Sequence, residues 1–274
     1  MVDGQGGLSY EGRRAVVAGG GGSGMGAAAA RLLRELGAEV TVLDLRAPEL
    51  EGAHFHRTDL GDPRAIDAAA SLVGGPVHAL LNCQGISGNA PGVEPTDVMR
   101  VNFLGVRHLT ERILPTMPAG SAVVSISSAG GLGWARRLGE ITELLEIDDF
   151  DDAVRWCEDH ADGLLAPAFP KSYSFSKQAL IVWTMRCAAT AIAAGVRVNC
   201  SSPGSTNTAM ATDFPEAGVQ YMNQPIGRGS TPEEQGWPVV FLASAAASYI
   251  NGANLIVDGG NAAARTLGML AAAV

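Results

Sequence analysis

Tyr173 and Lys177 are the residues of this chain whose types and spacing most directly suggest chemistry. Four residues apart, they would lie on one face of a helix, because side chains at i and i+4 are neighbours there. A tyrosine with its ordinary pKa of about 10 is a poor base at neutral pH, but a nearby ammonium group stabilises the phenolate and lowers that pKa. The pair could therefore act as a general acid and base on a substrate hydroxyl group, although the spacing alone occurs by chance in many helices.

Two serines supply a second polar group. Ser127 and Ser128 directly follow Val123–Ile126, an apolar run typical of a buried strand. A hydroxyl group at the end of such a strand could polarise a substrate carbonyl.

A glycine-rich loop predicts a nucleotide site. Gly20–Gly26 lies between a predicted strand, Ala15–Ala18, and a predicted helix, Ala27–Leu36. Glycines in that position allow a tight turn and a close approach of the backbone to a pyrophosphate, and the helix N-terminus offers free N–H groups to the anion. The alternative is a purely structural glycine turn.

Asp44 predicts which dinucleotide is bound. It ends the second predicted strand, Val40–Leu43, 18 residues after Gly26. A carboxylate there accepts hydrogen bonds from both ribose hydroxyl groups of NAD and repels the 2′-phosphate of NADP. Leu45 follows it, and Arg46 is near enough to keep NADP as the alternative.

Short apolar strands alternate with helices along the whole chain, which favours parallel strands with helices on both faces. The prediction is an α/β fold: one Rossmann-type domain over residues 1–274, with a doubly wound parallel sheet of about seven strands. The other predicted strands lie around Phe55 and at Val77–Leu81, Ala122–Ile126, Val196–Cys200 and Leu255–Val257. The other predicted helices are Pro63–Val73, Asp97–Met117, Ser174–Ala194 and Pro232–Ser244.

About 45 residues between Ile126 and Ser174 interrupt this alternation. Ile141–Asp148 and Asp151–His160 have helical patterns, so residues 132–170 are predicted to form an acidic helical insertion before Tyr173. Residues 140–162 hold ten acidic side chains and one basic one, which equals the net charge of −9 of the whole chain. A solvated face explains that charge, and a cationic partner is the alternative.

Composition argues against several classes of protein. There is no basic stripe for nucleic acid, and no apolar run approaches the roughly 18 residues of a membrane span. The N-terminus lacks a signal peptide pattern, so a cytoplasmic location is expected. The four cysteines are widely spaced and His54 and His56 have no third ligand nearby, so neither a disulfide framework nor a metal site is expected.

Along nearly its whole length the chain resembles the short-chain dehydrogenase/reductase family. The family motif T-G-x-x-x-G-x-G corresponds to residues 19–26, and N-N-A-G corresponds in part to Asn82-Cys83-Gln84-Gly85. The motif P-G-x-x-x-T corresponds to residues 203–208, and a terminal D-G-G is present at residues 258–260. The insertion and residues 243–252 resemble a subgroup that includes bacterial 3α-hydroxysteroid dehydrogenase/carbonyl reductases and coniferyl-alcohol dehydrogenases.

The resemblance implies four catalytic residues. Tyr173 is the acid and base, Ser128 holds the substrate oxygen, Lys177 lowers the Tyr173 pKa and binds the nicotinamide ribose, and Asn102 holds a water that links Lys177 to solvent. The implied coenzyme site comprises Gly20, Ser23, Gly24, Met25, Gly26, Asp44, Leu45, Asp59, Leu60, Asn82, Cys83, Gln84, Gly85, Tyr173, Lys177, Pro203, Gly204, Thr206 and Thr208.

Two positions depart from the family pattern. Gly19 stands where the family has threonine, and Cys83-Gln84 stands where it has Asn-Ala. Hydrogen bonds between the coenzyme loop and the fourth strand must therefore be rearranged, and the bulkier Gln84 is expected to crowd the adenosine ribose.

The predicted function is NAD-dependent interconversion of a secondary, aryl or alicyclic alcohol and its carbonyl compound. The alternatives are an NADP-preferring carbonyl reductase, a dinucleotide sensor without catalysis, and a sugar-nucleotide epimerase; the last would need a larger C-terminal substrate domain. Four apolar residues of the insertion region could line the substrate cleft or pack the insertion onto the domain: Trp134, Leu164, Leu165 and Phe169.

The resemblance also implies a homodimer or homotetramer. The family commonly pairs subunits through the two long helices that correspond to Asp97–Met117 and Ser174–Ala194. The insertion between them in sequence could block or reshape that interface.

Overall fold

A computed structural model describes residues 7–166, 171–213 and 225–269. Within these ranges a seven-stranded sheet has the order β3-β2-β1-β4-β5-β6-β7, and every neighbouring pair is parallel. The strands are β1 Arg14–Ala18, β2 Glu39–Asp44, β3 His54–Arg57, β4 Ala79–Asn82, β5 Ala122–Ile126, β6 Arg197–Pro203 and β7 Asn254–Val257. The order reverses between β1 and β4, so the predicted doubly wound sheet is confirmed.

Helices cover both faces of the sheet, which explains why its central strands are continuously apolar. Every residue of β4 and β5 is buried, whereas the edge strands β3 and β7 are partly exposed. The helices are α1 Met25–Glu35, α2 Pro63–Val73, α3 Pro95–Met99, α4 Gly105–Ile113, α5 Leu138–Leu145, α6 Phe150–Asp159, α7 Lys171–Ala191, α8 Pro232–Ala243 and α9 Asn261–Thr266.

Two cores lie on opposite sides of the sheet. One contains Leu33 of α1 and Val239 of α8, packed on side chains such as Val17. The other contains Ile66 of α2 and Leu109 of α4, with the C-terminal half of α7.

The helix predicted over Asp97–Met117 is present without a break over residues 95–116, but it is not a regular α-helix throughout. It consists of α3, a π-helical turn over Arg100–Leu104, α4 and a 3-10 turn over Leu114–Thr116. The backbone of the loop before α2 packs tightly here, since a Cβ on Gly105 would overlap the carbonyl oxygen of Leu60. Single π turns inside helices are frequent at functional sites, and this one holds Asn102.

The insertion is helical, as predicted, although α5 begins three residues before the predicted helix. Its apolar side chains Ile141, Leu144 and Val154 form a third core with Phe103 and with the N-terminal half of α7. Arg107 of α4 fixes the turn after α5, because its guanidinium group donates to the carbonyl oxygens of Ile147 and Asp148 at 2.6 and 3.0 Å. The acidic side chains lie mostly on the solvent side.

In the described ranges no helix is both long and apolar enough to cross a membrane. The four cysteines are free thiols. Among those same residues, no group of three or more histidine, cysteine, aspartate or glutamate side chains could hold a metal ion.

Candidate active site

The loop between β1 and α1 is built for close backbone contact. Gly24 occupies the N-cap position of α1 and has no side chain, so it makes no side-chain hydrogen bond to the N–H groups of the first turn. A side chain at Gly26 would overlap the carbonyl oxygen of Gly19 and lie 2.8 Å from Cβ of Cys83. An uncapped N-terminus of an 11-residue helix next to a glycine loop is a suitable site for a pyrophosphate.

Asp44 lies at the end of β2, directly beside that loop. Its Oδ2 accepts a hydrogen bond from the backbone N–H of Gly21 at 2.9 Å, and its Oδ1 accepts one from the N–H of Arg46 at 3.0 Å. Each carboxylate oxygen keeps a further acceptor site, because an ionised carboxylate has about four. Asp44 can therefore hold the loop and still accept hydrogen bonds from ribose hydroxyl groups.

Gly19 and Gln84 are in direct backbone contact across the β1–β4 boundary. Gly19 has a φ of +82°, and a Cβ there would lie 2.5 Å from the backbone nitrogen of Gln84. Neither the backbone conformation nor the space admits the threonine of the family pattern. The two departures in sequence are therefore coupled in space.

The catalytic residues predicted from sequence meet at the end of β5. Lys177 is 3% exposed, and its Nζ donates to the carbonyl oxygen of Ile126 at 2.8 Å and lies 5.7 Å from the ring centre of Tyr173. Tyr173 is hydrogen-bonded through its side chain to Ser128. Ser127 fastens α7 to β5, because its Oγ donates to the carbonyl oxygen of Lys177 at 2.9 Å.

The protonation equilibria of this group follow from burial. Burial lowers the pKa of Lys177 to about 8. Burial also raises the pKa of Tyr173, and the hydrogen bond with Ser128 lowers it only in part. The pKa of Tyr173 is therefore above its ordinary value in this structure, because removal of the phenol from water outweighs the hydrogen bond that favours the phenolate. The lowering of this pKa by Lys177 stays a prediction.

Asn102 lies in the π turn and holds the loop after β4 by hydrogen bonds. Its Oδ1 accepts from the backbone N–H of Ile86 at 2.8 Å, and its Nδ2 donates to the Ile86 carbonyl oxygen at 3.0 Å and to Ser176 at 3.2 Å. Both amide protons are thereby used. A Cβ on Gly85 would lie 3.4 Å from Asn102 Oδ1 and 3.6 Å from Lys177 Nζ, so these two polar atoms flank the same point of the backbone. The water assigned to Asn102 stays a prediction.

The loop after β6 is tied to the end of β7. Gly204 donates its N–H to the carbonyl oxygen of Val257 at 3.0 Å, and Thr206 shares a 3.0 Å hydrogen bond with Ser230. Asp258 accepts from the N–H groups of Gly260 and Ala262 at 3.0 and 2.7 Å. The D-G-G motif therefore has a structural role at the start of α9.

The remaining predicted coenzyme residues lie along the same carboxyl edge, since all strands are parallel. Asp59 accepts from the N–H of Gly61 at 2.9 Å, and Asn82 donates to Thr110 at 3.0 Å and to Ser125 at 3.2 Å. Leu60 is buried, whereas Leu45 is 51% exposed.

Sequence reasoning missed a polar residue that supports the loop after β6. Gln235 of α8 donates through Nε2 to Ser230 Oγ at 2.9 Å and to the carbonyl oxygen of Val257 at 3.0 Å. Its 2% exposure makes it a buried polar side chain inside a helix, a feature that the sequence pattern does not distinguish from an exposed one.

The apolar residues proposed as a wall of the substrate cleft differ in their burial. Leu165 is fully buried in the core of the insertion, and Trp134 and Leu164 are partly buried against that core. Packing therefore explains Leu165. Phe169 lies outside the described residues.

Comparison with known proteins gives a consistent result. The model of the short chain dehydrogenase family matches residues 14–137, and the model described as enoyl-(acyl carrier protein) reductase matches residues 163–262. A coniferyl-alcohol dehydrogenase of a Pseudomonas strain is 33% identical over 243 residues, which is 87% of this chain and 92% of that protein. The 3-alpha-hydroxysteroid dehydrogenase/carbonyl reductase of Comamonas testosteroni is 30% identical over 252 residues, again 87% and 92%.

Among solved structures, the 3-alpha-hydroxysteroid dehydrogenase of Pseudomonas sp. B-0831, complexed with NADH, superposes with a TM-score of 0.76. That match is 26% identical and covers 93% of this chain and 98% of that one.

With this sheet order, this glycine loop and these relatives, the chain belongs to the short-chain dehydrogenase family and is an oxidoreductase. The two family models leave residues 138–162 unmatched between them. That interval contains α5 and α6 and all the acidic side chains of the insertion. The insertion is thus what distinguishes this chain from the general family pattern.

Proposed function

We propose that this chain is an NAD-dependent dehydrogenase that interconverts a secondary, aryl or alicyclic alcohol and its carbonyl compound. The observation that carries the proposal is the side-chain hydrogen bond between Tyr173 and Ser128 with Lys177 beside them, at the same sheet edge as Asp44 and the glycine loop. Hydroxyl chemistry and a dinucleotide site are both needed for alcohol oxidation, and both are present at one edge.

The residues fit a nicotinamide dinucleotide on structural grounds. The uncapped start of α1 suits the pyrophosphate, and the spare acceptor sites of Asp44 suit the adenosine ribose hydroxyl groups. The loop Gly204–Thr208 and the ammonium group of Lys177 are proposed to hold the nicotinamide half. When bound, the coenzyme supplies the hydride acceptor, and the protein supplies orientation and electrostatics.

Each catalytic side chain has a role that its surroundings support. Ser128 holds the substrate oxygen by a hydrogen bond, with Gly130 N–H fixing its Oγ at 3.1 Å. Tyr173, as the phenolate, takes the hydroxyl proton as the carbon–hydrogen bond is broken. Lys177 is placed to favour the phenolate when charged, and its lowered pKa keeps the proton mobile near neutral pH.

NAD is proposed over NADP because a carboxylate at the end of the second strand accepts hydrogen bonds from ribose hydroxyl groups and repels a 2′-phosphate. Solved neighbours include one complexed with NADH and one complexed with NADP, so the choice rests on Asp44. The alternative rests on Arg46, which is exposed and follows Asp44 by two residues.

The substrate class follows from relatives and from the chain. The relatives in Pseudomonas and Comamonas are named for an aryl-substituted alcohol and a polycyclic one. In this chain Trp134 and Leu164 of the insertion are partly buried against the third core, close in sequence to Ser128 and Tyr173. An apolar, bulky alcohol is therefore the proposed substrate.

The test is the absorbance of reduced coenzyme with purified protein, a panel of aryl and alicyclic secondary alcohols, and NAD or NADP in parallel. Turnover is expected with NAD, and Asp44→Ala should reduce NAD affinity by about ten-fold or more while improving that for NADP. Arg46→Ala is the matched variant and should leave NAD use unchanged. Preference of the wild type for NADP would overturn the coenzyme assignment, and binding of NAD without turnover of any alcohol would favour the sensor.

We also propose a homodimer or homotetramer in the cytoplasm. The outer face formed by the π turn, α4 and α7 is covered by α5 and α6 through the third core. Pairing through those two helices would require the insertion to move, so a different surface is proposed for the subunit interface. Light scattering of the purified protein tests the assembly, and a monomer at micromolar concentration would contradict it.

A further inference from the structure

Gln84 is a buried side chain whose amide group lacks a hydrogen-bond partner within residues 7–166, 171–213 and 225–269. The residue is 5% exposed, and both Oε1 and Nε2 are shielded from solvent. Most buried polar groups in folded proteins are hydrogen-bonded, so an amide that lacks partners for both its donor and its acceptor needs an explanation.

Gln84 lies at the place in the sheet where a dinucleotide is expected to bind. It follows β4 by two residues, at the boundary with β1 where the strand order reverses and where dinucleotides bind in sheets of this kind. Its backbone touches Gly19, the first residue of the glycine loop. Two positions earlier, at the end of β4, Asn82 Oδ1 also lacks a partner in the described part of the chain.

We propose that the amide of Gln84 binds the ribose hydroxyl groups of the adenosine half of the coenzyme. This inference rests on the dinucleotide site of the proposed function. A ribose hydroxyl group both donates and accepts, which matches Nε2 and Oε1, whereas Asp44 can only accept. The side chain gives up no hydrogen bond among the described residues when it turns toward the groove. Gln84 is then a binding residue, rather than the source of crowding expected from the sequence.

Two variants separate binding from crowding. Gln84→Met keeps the length and volume of the side chain but removes the amide, and Gln84→Ala restores the residue of the family pattern. Titration calorimetry with NAD and with ADP-ribose is expected to show about five-fold to ten-fold weaker binding for both variants, the size of one or two hydrogen bonds. Binding of nicotinamide mononucleotide should stay unchanged, because that half lies on the other side of the boundary.

Thermal unfolding supplies a second readout. Without coenzyme, Gln84→Met should melt at a higher temperature than the wild type, because an unpaired buried amide is removed. The rise in melting temperature on adding NAD should be smaller. Ser121→Ala is the matched control, since Ser121 Oγ is another buried group that lacks a partner among the described residues, and it lies at the amino-terminal end of β5, far from the glycine loop. It should also raise the melting temperature but leave NAD affinity unchanged.

Tighter NAD binding by Gln84→Ala with no change in Gln84→Met would establish crowding and overturn the inference. Unchanged affinities in both variants, or weaker binding of the mononucleotide alone, would overturn it as well. If NAD binds as expected but no alcohol is oxidised, the inference stands and the proposed function falls. If the wild type binds no dinucleotide, both fall.

Discussion

The two sides of the dinucleotide groove are held together differently. On the adenosine side, after β1 and β2, backbone lies against backbone: Gly19 packs on Gln84, and a Cβ on Gly21 would overlap the carbonyl oxygen of Arg46. On the catalytic side, after β5 and along α7, side chains hold the structure through the hydrogen bonds of Ser127 and Lys177.

The difference shows which residue types each side of the site requires. The adenosine side requires the absence of side chains at a few positions, so a substitution there should disturb the fold and coenzyme binding together. The catalytic side requires particular functional groups on a frame that is buried and hydrogen-bonded independently. A conservative substitution there should abolish chemistry and leave the fold intact.

The largest expected effect is that of Tyr173→Phe. Removing the phenolic hydroxyl should lower the rate of alcohol oxidation about a thousand-fold, because the proton acceptor is lost. NAD affinity and the melting temperature should stay close to those of the wild type. Steady-state kinetics and calorimetry measure both, with the fully exposed Tyr249→Phe as the control. Retention of a tenth of the activity would remove Tyr173 from the mechanism.

Gly19→Ala tests the adenosine side. A positive φ and a Cβ placed 2.5 Å from Gln84 N should together reduce the free energy of unfolding by about 3 kcal/mol and weaken NAD binding. Urea unfolding and NAD titration provide the measurements. Gly22→Ala is the control from the same loop, because its Cβ would meet nothing within 4 Å. If both variants lose stability and NAD affinity equally, close backbone contact at Gly19 does not explain the effect.

Leu144→Ala tests how far the catalytic side depends on the insertion. Leu144 is fully buried in the third core, so the free energy of unfolding should fall by about 2 to 3 kcal/mol. The partly exposed Leu138→Ala, on the same helix, should cost much less. The KM for the best alcohol should not change if α5 only supports α7. A large rise in KM would instead place the insertion in the substrate cleft.

A pH dependence of stability due to Lys177 is expected as well. Its pKa is lowered from 10.5 to about 8 by burial, so between these values the unfolded chain holds a proton that the folded chain has released. The unfolding free energy of the wild type should therefore rise with pH over this range relative to Lys177→Met. Urea unfolding at a series of pH values measures the difference. Lys171→Met, at an exposed position, should run parallel to the wild type, and a flat difference for Lys177→Met would contradict the lowered pKa.

Much of the fold could be predicted from the sequence because helix and strand bounds depend on residues close together in the chain. Pro63–Val73 was predicted with its observed bounds, since Asp62 caps the helix and Pro63 occupies its first turn. The strand Ala122–Ile126 was equally clear as a buried apolar run. The π turn at Asn102 was not predicted, because it depends on contacts with residues 16 and 74 positions away.

The sequence by itself determined the alternation of strands and helices, the glycine loop at the end of β1, and the chemical types of Ser128, Tyr173 and Lys177. These are properties of residues close together in the chain, so the periodicity of apolar residues and the spacing of motif residues indicate them directly. Only the tertiary structure decided the pKa directions of Tyr173 and Lys177, the contact of Gly19 with Gln84, and the unpaired amide of Gln84. Each of these depends on how much water is excluded and on which distant backbone comes close, and neither is encoded at any single position.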